Sequence, residues 1–177
     1  MNQIPVGIPY ETPEQRMQRI NDQFDNFDQD GNGFIDENEF YEAIVSILNL
    51  QGSEHFEIYQ RFIKTIFHMC DKSFWIFKRK DNKIDKDEFV RICDAFSFPM
   101  NPFDIDHNLA QMMFNIIDKD HSGHITKSEI KQFLKNCDFI TETPDQLMRK
   151  IDFSGDNKIS FNEFESWFKN VQNFTKK

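Results

Sequence analysis

Apolar residues recur along this chain at intervals of three and four, in eight separate runs, and the stretches between them are polar and often acidic. That period is the signature of helices with one buried face. Met17, Ile20, Phe24 and Phe27 mark the first run, and Phe40, Ile44, Ile47 and Leu48 the second. A longer third run carries Phe56, Tyr59, Phe62, Ile63, Ile66 and Phe67; Phe89, Ile92, Cys93 and Phe96 form the fourth. The second half repeats the plan with Leu109, Met112, Met113, Ile116 and Ile117, then Ile130, Phe133 and Leu134, then Leu147, Met148 and Ile151, and finally Phe164, Trp167, Phe168 and Val171. Two runs open on the same cap signal, Thr12-Pro13-Glu14-Gln15 and Thr143-Pro144-Asp145-Gln146. Each offers an N-cap threonine, a proline at the first helical position and a glutamine placed to close a capping box. The pattern predicts an all-α chain with eight helices and no long strand.

The acidic gaps between paired runs carry the chemistry. Asp28, Asp30, Asn32, Phe34, Asp36 and Glu39 stand at positions 1, 3, 5, 7, 9 and 12 of a twelve-residue segment, with Gly33 at the sharp turn. Three carboxylates, an amide oxygen, a backbone carbonyl from Phe34 and a bidentate glutamate make the oxygen set that a hard dication such as calcium takes. The pattern recurs as Asp118, Asp120, Ser122, His124, Thr126 and Glu129 with Gly123, and again as Asp152, Ser154, Asp156, Lys158, Ser160 and Glu163. His124 and Lys158 contribute backbone carbonyls at position 7, while Thr126 and Ser160 at position 9 act through water. The last segment departs in one place, Asn157 standing where glycine is expected. Asparagine enters the left-handed region more readily than other non-glycine residues.

A fourth segment is damaged. Asp81, Asn82, Lys83, Ile84, Asp85 and Glu88 match the back half of such a loop, but counting twelve back from Glu88 puts Phe77 and Arg79 at the first two ligand positions. Begun at Asp71, the loop is eighteen residues long, with the stretch 74–80 inserted and Lys78, Arg79 and Lys80 adding positive charge. It is read as a loop that holds no ion. Ile35, Ile84, Ile125 and Ile159 nevertheless occupy position 8 of all four segments. A β-branched residue there suits a short antiparallel pairing of loop one with two and of three with four.

Four such units resemble the EF-hand superfamily represented by calmodulin, troponin C, the regulatory subunit of calcineurin and the sarcoplasmic calcium-binding proteins. The resemblance covers about residues 12–172 and implies four helix-loop-helix units in two paired lobes. Residues 1–98 form the first, with hand one active and hand two degenerate, and residues 103–177 the second, with hands three and four active. It implies three calcium sites, magnesium also being accepted at the first. The family contains both sensors, which change shape and bind an amphipathic helix of a target, and buffers. The sensor is the leading expectation here and the buffer its alternative.

Phe outnumbers Met by 21 to 7. That composition favours stable packing or a narrowly shaped groove over promiscuous binding, and Met112, Met113 and Met148 mark where a groove would lie. The strap 97–103 contains Pro99 and Pro102, so no continuous helix runs between the halves. A net charge of −9 argues against nucleic acid as a partner. No run of some eighteen apolar residues predicts a membrane span, no signal stretch precedes the first helix, and an odd count of three cysteines points to a reducing, cytoplasmic setting. Neither a phosphate-cradling glycine loop nor a nucleophile motif suggests an enzyme.

Overall fold

In a computed structural model of the chain, residues 11–53, 55–71, 81–93 and 104–171 are described. They form helices α1 (Pro13–Phe27), α2 (Glu37–Ile47), α3 (Phe56–Cys70), α4 (Lys86–Cys93), α5 (Ile105–Ile117), α6 (Lys127–Leu134), α7 (Pro144–Ile151) and α8 (Phe161–Val171). Two strands of two residues each, β1 (His124–Ile125) and β2 (Ile159–Ser160), are the sheet among the described residues. The all-α reading holds. The strap 97–103 and the insertion 74–80 lie outside the described residues.

Both threonine-proline signals act as the sequence implies. Thr12 accepts from the Gln15 N–H while the Gln15 side chain accepts from the Thr12 N–H at 2.9 Å, and Thr143 and Gln146 repeat the exchange. These boxes satisfy amide groups that a helix start leaves open. α1 and α5 stop at Asp28 and Asp118, whose carboxylates turn away into the loops that follow.

Aromatic side chains fill the first half's core. Phe27 packs on Phe40 and Phe89 with ring centroids 5.8 and 5.2 Å apart, and Phe24 meets Phe89 edge-on at 5.4 Å. In the second half Phe114, Phe164 and Phe168 play that part, with Phe114–Phe164 at 5.9 Å. Tilted and edge-to-face pairs of this kind add about 0.5–1.5 kcal/mol each beyond their buried area. Met112, Met113 and Met148 are buried, so these methionines belong to the core.

The core does not stop at the boundary between halves. Phe62 of α3 is fully buried, 4.9 Å from the Phe139 ring and 4.7 Å from that of Phe168 in α8. One apolar cluster therefore runs from Ile20 to Phe168. The Tyr59 hydroxyl donates to the Asp106 carboxylate of α5 at 2.5 Å, adding a directional tie.

Candidate functional site

At position 1 of each twelve-residue loop a carboxylate gathers backbone amides. Asp28 accepts from Asn32 and Gly33 at 3.0 and 2.9 Å, Asp118 from Ser122 and Gly123 at 3.0 and 2.8 Å, and Asp152 from Gly155 and Asn157 at 2.7 and 2.9 Å. The position 12 glutamate reaches back over the loop. Glu39 accepts from Gln29 and Asp30 through one oxygen and from Asp36 through the other; Glu163 does the same with Phe153, Ser154 and Ser160, and Glu129 with Lys119 and Thr126. Each carboxylate oxygen carries two lone pairs, so these bonds orient the acids while leaving acceptor capacity facing inward.

The result is convergence. One carboxylate oxygen each of Asp28, Asp30 and Glu39 lie within 4.8 Å of one another, and those of Asp118, Asp120 and Glu129 do likewise. An oxygen-only set gathered at that separation fits a hard dication. In the last loop Ser154 stands at position 3, its hydroxyl donating to Asp152 at 3.1 Å, so it assembles fewer charges. Phe34, His124 and Lys158 occupy position 7, and the Ser122 hydroxyl donates to the His124 carbonyl at 3.0 Å. Asn32 accepts from the Phe34 N–H and Asp156 from the Lys158 N–H, at 2.9 and 2.8 Å.

Position 9 has a second duty. Asp36 and Thr126 are the N-caps of α2 and α6, each in a reciprocal box with Glu39 or Glu129, and Ser160 bonds Glu163 in the same way before α8. The loop acids are thus also helix starts.

Ionisation follows from these bonds. Partial burial of Glu163 works against its charge, yet the amide and hydroxyl of Ser160 and the amide of Ser154 draw its pKa down to about 2. Bonding from the Ser122 hydroxyl holds Asp120 below the ordinary carboxylate range.

The turn needs left-handed backbone at two places. At position 6, φ is +85° for Gly33 and +79° for Gly123, and Asn157 takes +63° in their stead. Position 4 needs it as well: Gly31, His121 and Gly155 have φ of +68°, +52° and +77°. The glycines at position 4 are the sequence signal for this second requirement, and His121 meets it as one of the few non-glycine types enriched in that region, though less freely than glycine.

The second loop resolves the choice of its starting residue. Asp71, almost fully buried at the end of α3, accepts from the amides of Asp81 and Asn82 at 3.4 and 3.1 Å, as Asp28 does from Asn32 and Gly33. Asn82 has φ of +59°. Asp71 therefore stands at position 1 and the loop is the eighteen-residue one. Its back half is intact: Asp85 and Glu88 exchange bonds at 3.0 and 2.8 Å, and Ile84 pairs with Ile35 through two amide bonds of 2.9 Å. Lys83 stacks its ammonium 5.0 Å from the Phe34 ring, binding the paired loops further. Loops three and four pair through His124 with Ser160 and Ile125 with Ile159.

These are paired helix-loop-helix units, and relatives share them. The EF-hand domain pair family matches residues 108–169, and the EF-hand domain family matches residues 19–48. This chain belongs to the EF-hand superfamily. It is 28% identical to calcium-binding protein CML19 of Arabidopsis thaliana over 93% of this chain and 90% of that one. Troponin C, isoform 2A, of Homarus americanus is 24% identical over 85% and 93%, and probable calcium-binding protein CML13 of Oryza sativa subsp. japonica 27% over 88% and 83%. A solved calcium-binding protein of Streptomyces coelicolor, 21% identical, covers 88% of this chain and 96% of that one at a TM-score of 0.34, too low to bear on how the helices are arranged.

Outside the EF-hand loops, Asp104, His107 and Glu165 form a third convergent group. A cation is already supplied there: the Lys169 ammonium lies 2.9 Å from Glu165 and 3.4 Å from Asp104, and His107 Nδ1 is 2.8 Å from the same glutamate oxygen. The cluster clamps the start of α5 to α8. No helix among the described residues is long and apolar enough to cross a membrane.

Proposed function

We propose that this EF-hand chain binds calcium at its first, third and fourth loops and that binding alters its shape so as to regulate a protein partner. The observation that carries the metal reading is the convergence of the position 1, 3 and 12 carboxylates of the first and third loops, held by the backbone amides of their own loops; the fourth loop is included on its ligand spacing and on the matching bonds of Asp152 and Glu163. The names of the relatives, calcium-binding proteins and a troponin C, support it. The ligands are Asp28, Asp30, Asn32, Phe34, Asp36 and Glu39; Asp118, Asp120, Ser122, His124, Thr126 and Glu129; and Asp152, Ser154, Asp156, Lys158, Ser160 and Glu163. With four carboxylates the first loop is the strongest site and the one that also accepts magnesium.

The regulatory part is supported by a cavity of about 440 Å³ between α1, α2 and α4, lined by Phe27, Ala43, Phe89 and Cys93 and edged by half-exposed Ile47. A groove of that size receives apolar anchors of a target helix. Residues 1–98 and 103–177 act as its two functional units, in a cytoplasmic, reducing setting supported by three cysteines outside any disulfide. Burial pushes the thiols of Cys70 and Cys137 up, away from reactivity.

A buffer is the second reading, and the continuous core through Phe62 favours it, since fused halves have less freedom to open. Calorimetric titration tests the metal reading: three calcium ions per chain are expected, and uptake of none at millimolar supply overturns it. Hydrophobic-dye fluorescence at fixed magnesium separates the two functions. A large calcium-specific rise supports the regulator; an unchanged signal supports the buffer.

A further inference from the structure

Helix α3 buries more of its circumference than the helix of a self-contained lobe needs. Gln60, Lys64 and Phe67 look toward α2: the Gln60 amide donates to the Tyr41 hydroxyl at 2.7 Å, Lys64 lies 3.1 Å from Glu37, and the Phe67 ring is 5.7 Å from that of Phe40. Tyr59, Phe62 and Thr65, spaced three apart on a different face, look toward the second half. Tyr59 is tied to Asp106 of α5, and Phe62 is wedged between Phe139, in the connection from α6 to α7, and Phe168 of α8. Arg61 places its guanidinium 5.3 Å from the Phe139 ring centroid, and buried Thr65 stands beside Cys137 of the α6–α7 connection while its hydroxyl donates to the Arg61 carbonyl at 2.8 Å.

One helix thus touches α5, α8 and the α6–α7 connection of the second half with anchors at i, i+3 and i+6. That is the manner in which an amphipathic helix is received on the apolar face of a paired EF-hand unit. We infer that α3 is a built-in occupant of the second half's helix-binding face, and that an external partner is an amphipathic helix carrying the same anchors, which binds by displacing it. This rests on the regulatory reading above but gives the partner a second docking place, on the second half and apart from the α1–α2–α4 cavity.

The anchors specify the partner's chemistry. An aromatic ring fills the place between Phe139 and Phe168. One turn before it stands a hydroxyl or amine donor for the Asp106 carboxylate, and adjacent to it a guanidinium for the Phe139 face. Asp104, Asp106 and Glu165 give this edge an anionic rim, balanced in part by Lys169, so a basic helix suits it better than an acidic one. α3 itself is held on its other side by the first half. Displacement therefore carries the whole first half away from the second.

A labelled peptide with the sequence of residues 55–71 is the probe, titrated into the full-length chain and its variants in excess calcium and in chelator. An intramolecular competitor lowers apparent affinity by the fraction of time it is away, so Phe62→Ala should bind the peptide at least about tenfold more tightly than the unaltered chain. Tyr59→Phe, which removes only the hydroxyl, should gain about threefold. A peptide itself carrying Phe62→Ala should bind none of them. Equal affinity for all three chains, or no binding to any, overturns the inference; if circular dichroism shows Phe62→Ala unfolded, Tyr59→Phe decides alone. Calorimetry on the same samples keeps the two readings apart: calcium uptake without competition sinks this inference only, whereas competition without calcium uptake sinks the metal reading.

Discussion

The first and second halves use the same loop pairing with unequal loops. In the second half two twelve-residue loops lie side by side through β1 and β2, with Ile125 opposite Ile159. In the first half a twelve-residue loop pairs with an eighteen-residue one, and the contact among the described residues has shrunk to a single bridge between Ile35 and Ile84. Both isoleucines of that bridge are fully buried, as are their counterparts. Pairing therefore depends on position 8 and the back half of each loop. It is indifferent to what happens between positions 1 and 5.

The largest way to break this comparison is to remove the bridge. Ile84→Ala and Ile159→Ala should each destabilise by about 2–5 kcal/mol, the range for deleting a fully buried isoleucine side chain. Urea unfolding measures it. If the first half leans on its bridge, Ile84→Ala should also weaken ion binding at the first loop, although Ile84 lies in a loop that holds no ion.

Next in size is the loss of a position 12 acid. Glu39→Gln and Glu129→Gln should each cost about 100-fold in calcium affinity at their own loop, on the scale by which ligand charge tunes such sites. Their wider effects should differ. Glu39→Gln leaves the first half with no strong site, whereas Glu129→Gln leaves the fourth loop loaded beside it, so calorimetry should resolve one ion in the second half after either the third or the fourth loop is lost.

Acid gives a third test, one directed at the ion-free protein. Glu163 is held at about 2 against an ordinary value of 4.5. A depressed carboxylate adds stability that is complete above pH 4.5 and is lost as pH falls toward 2. Chelated protein should therefore lose stability over that window, and Glu163→Gln should flatten the dependence measured by urea midpoints.

Smallest are the turn residues. Asn157→Gly and His121→Gly relieve left-handed backbone and should each stabilise by about 0.5–1 kcal/mol, set against the greater freedom glycine brings to the unfolded chain. Thermal unfolding detects such a gain, and a loss at His121 would mean its φ of +52° is held without strain.

Much of this architecture is legible in the amino-acid sequence. Thr12-Pro13 and Thr143-Pro144 announce their helices because capping is local chemistry, and the loop ligands are legible because their spacing is fixed by one ion's coordination sphere. Position 8 isoleucines foretell the loop pairing for the same reason. What the sequence hides is long-range. Nothing local distinguishes Phe62, which reaches Phe168, from Phe67, which stays with Phe40, since both lie in one apolar run. Met112, Met113 and Met148 mark where a groove would lie, although methionines at helical spacing are more often core, and the packing buries them. The start of the damaged loop is similarly open in the sequence, and the bond from the Asn82 amide to the Asp71 carboxylate closes it.

The double service of positions 9 and 12 has a consequence for how such a protein can be altered. Asp85 and Glu88 exchange their bonds at the entrance of α4 whether or not a metal is near, which gives a defunct loop a reason to keep both acids. In the working loops, by contrast, a change at Asp36, Thr126 or Ser160 frays a helix as well as loosening an ion. Selectivity and strength are therefore freer to drift at Asp30, Asp120 and Ser154, whose side chains bond within the loop but cap no helix.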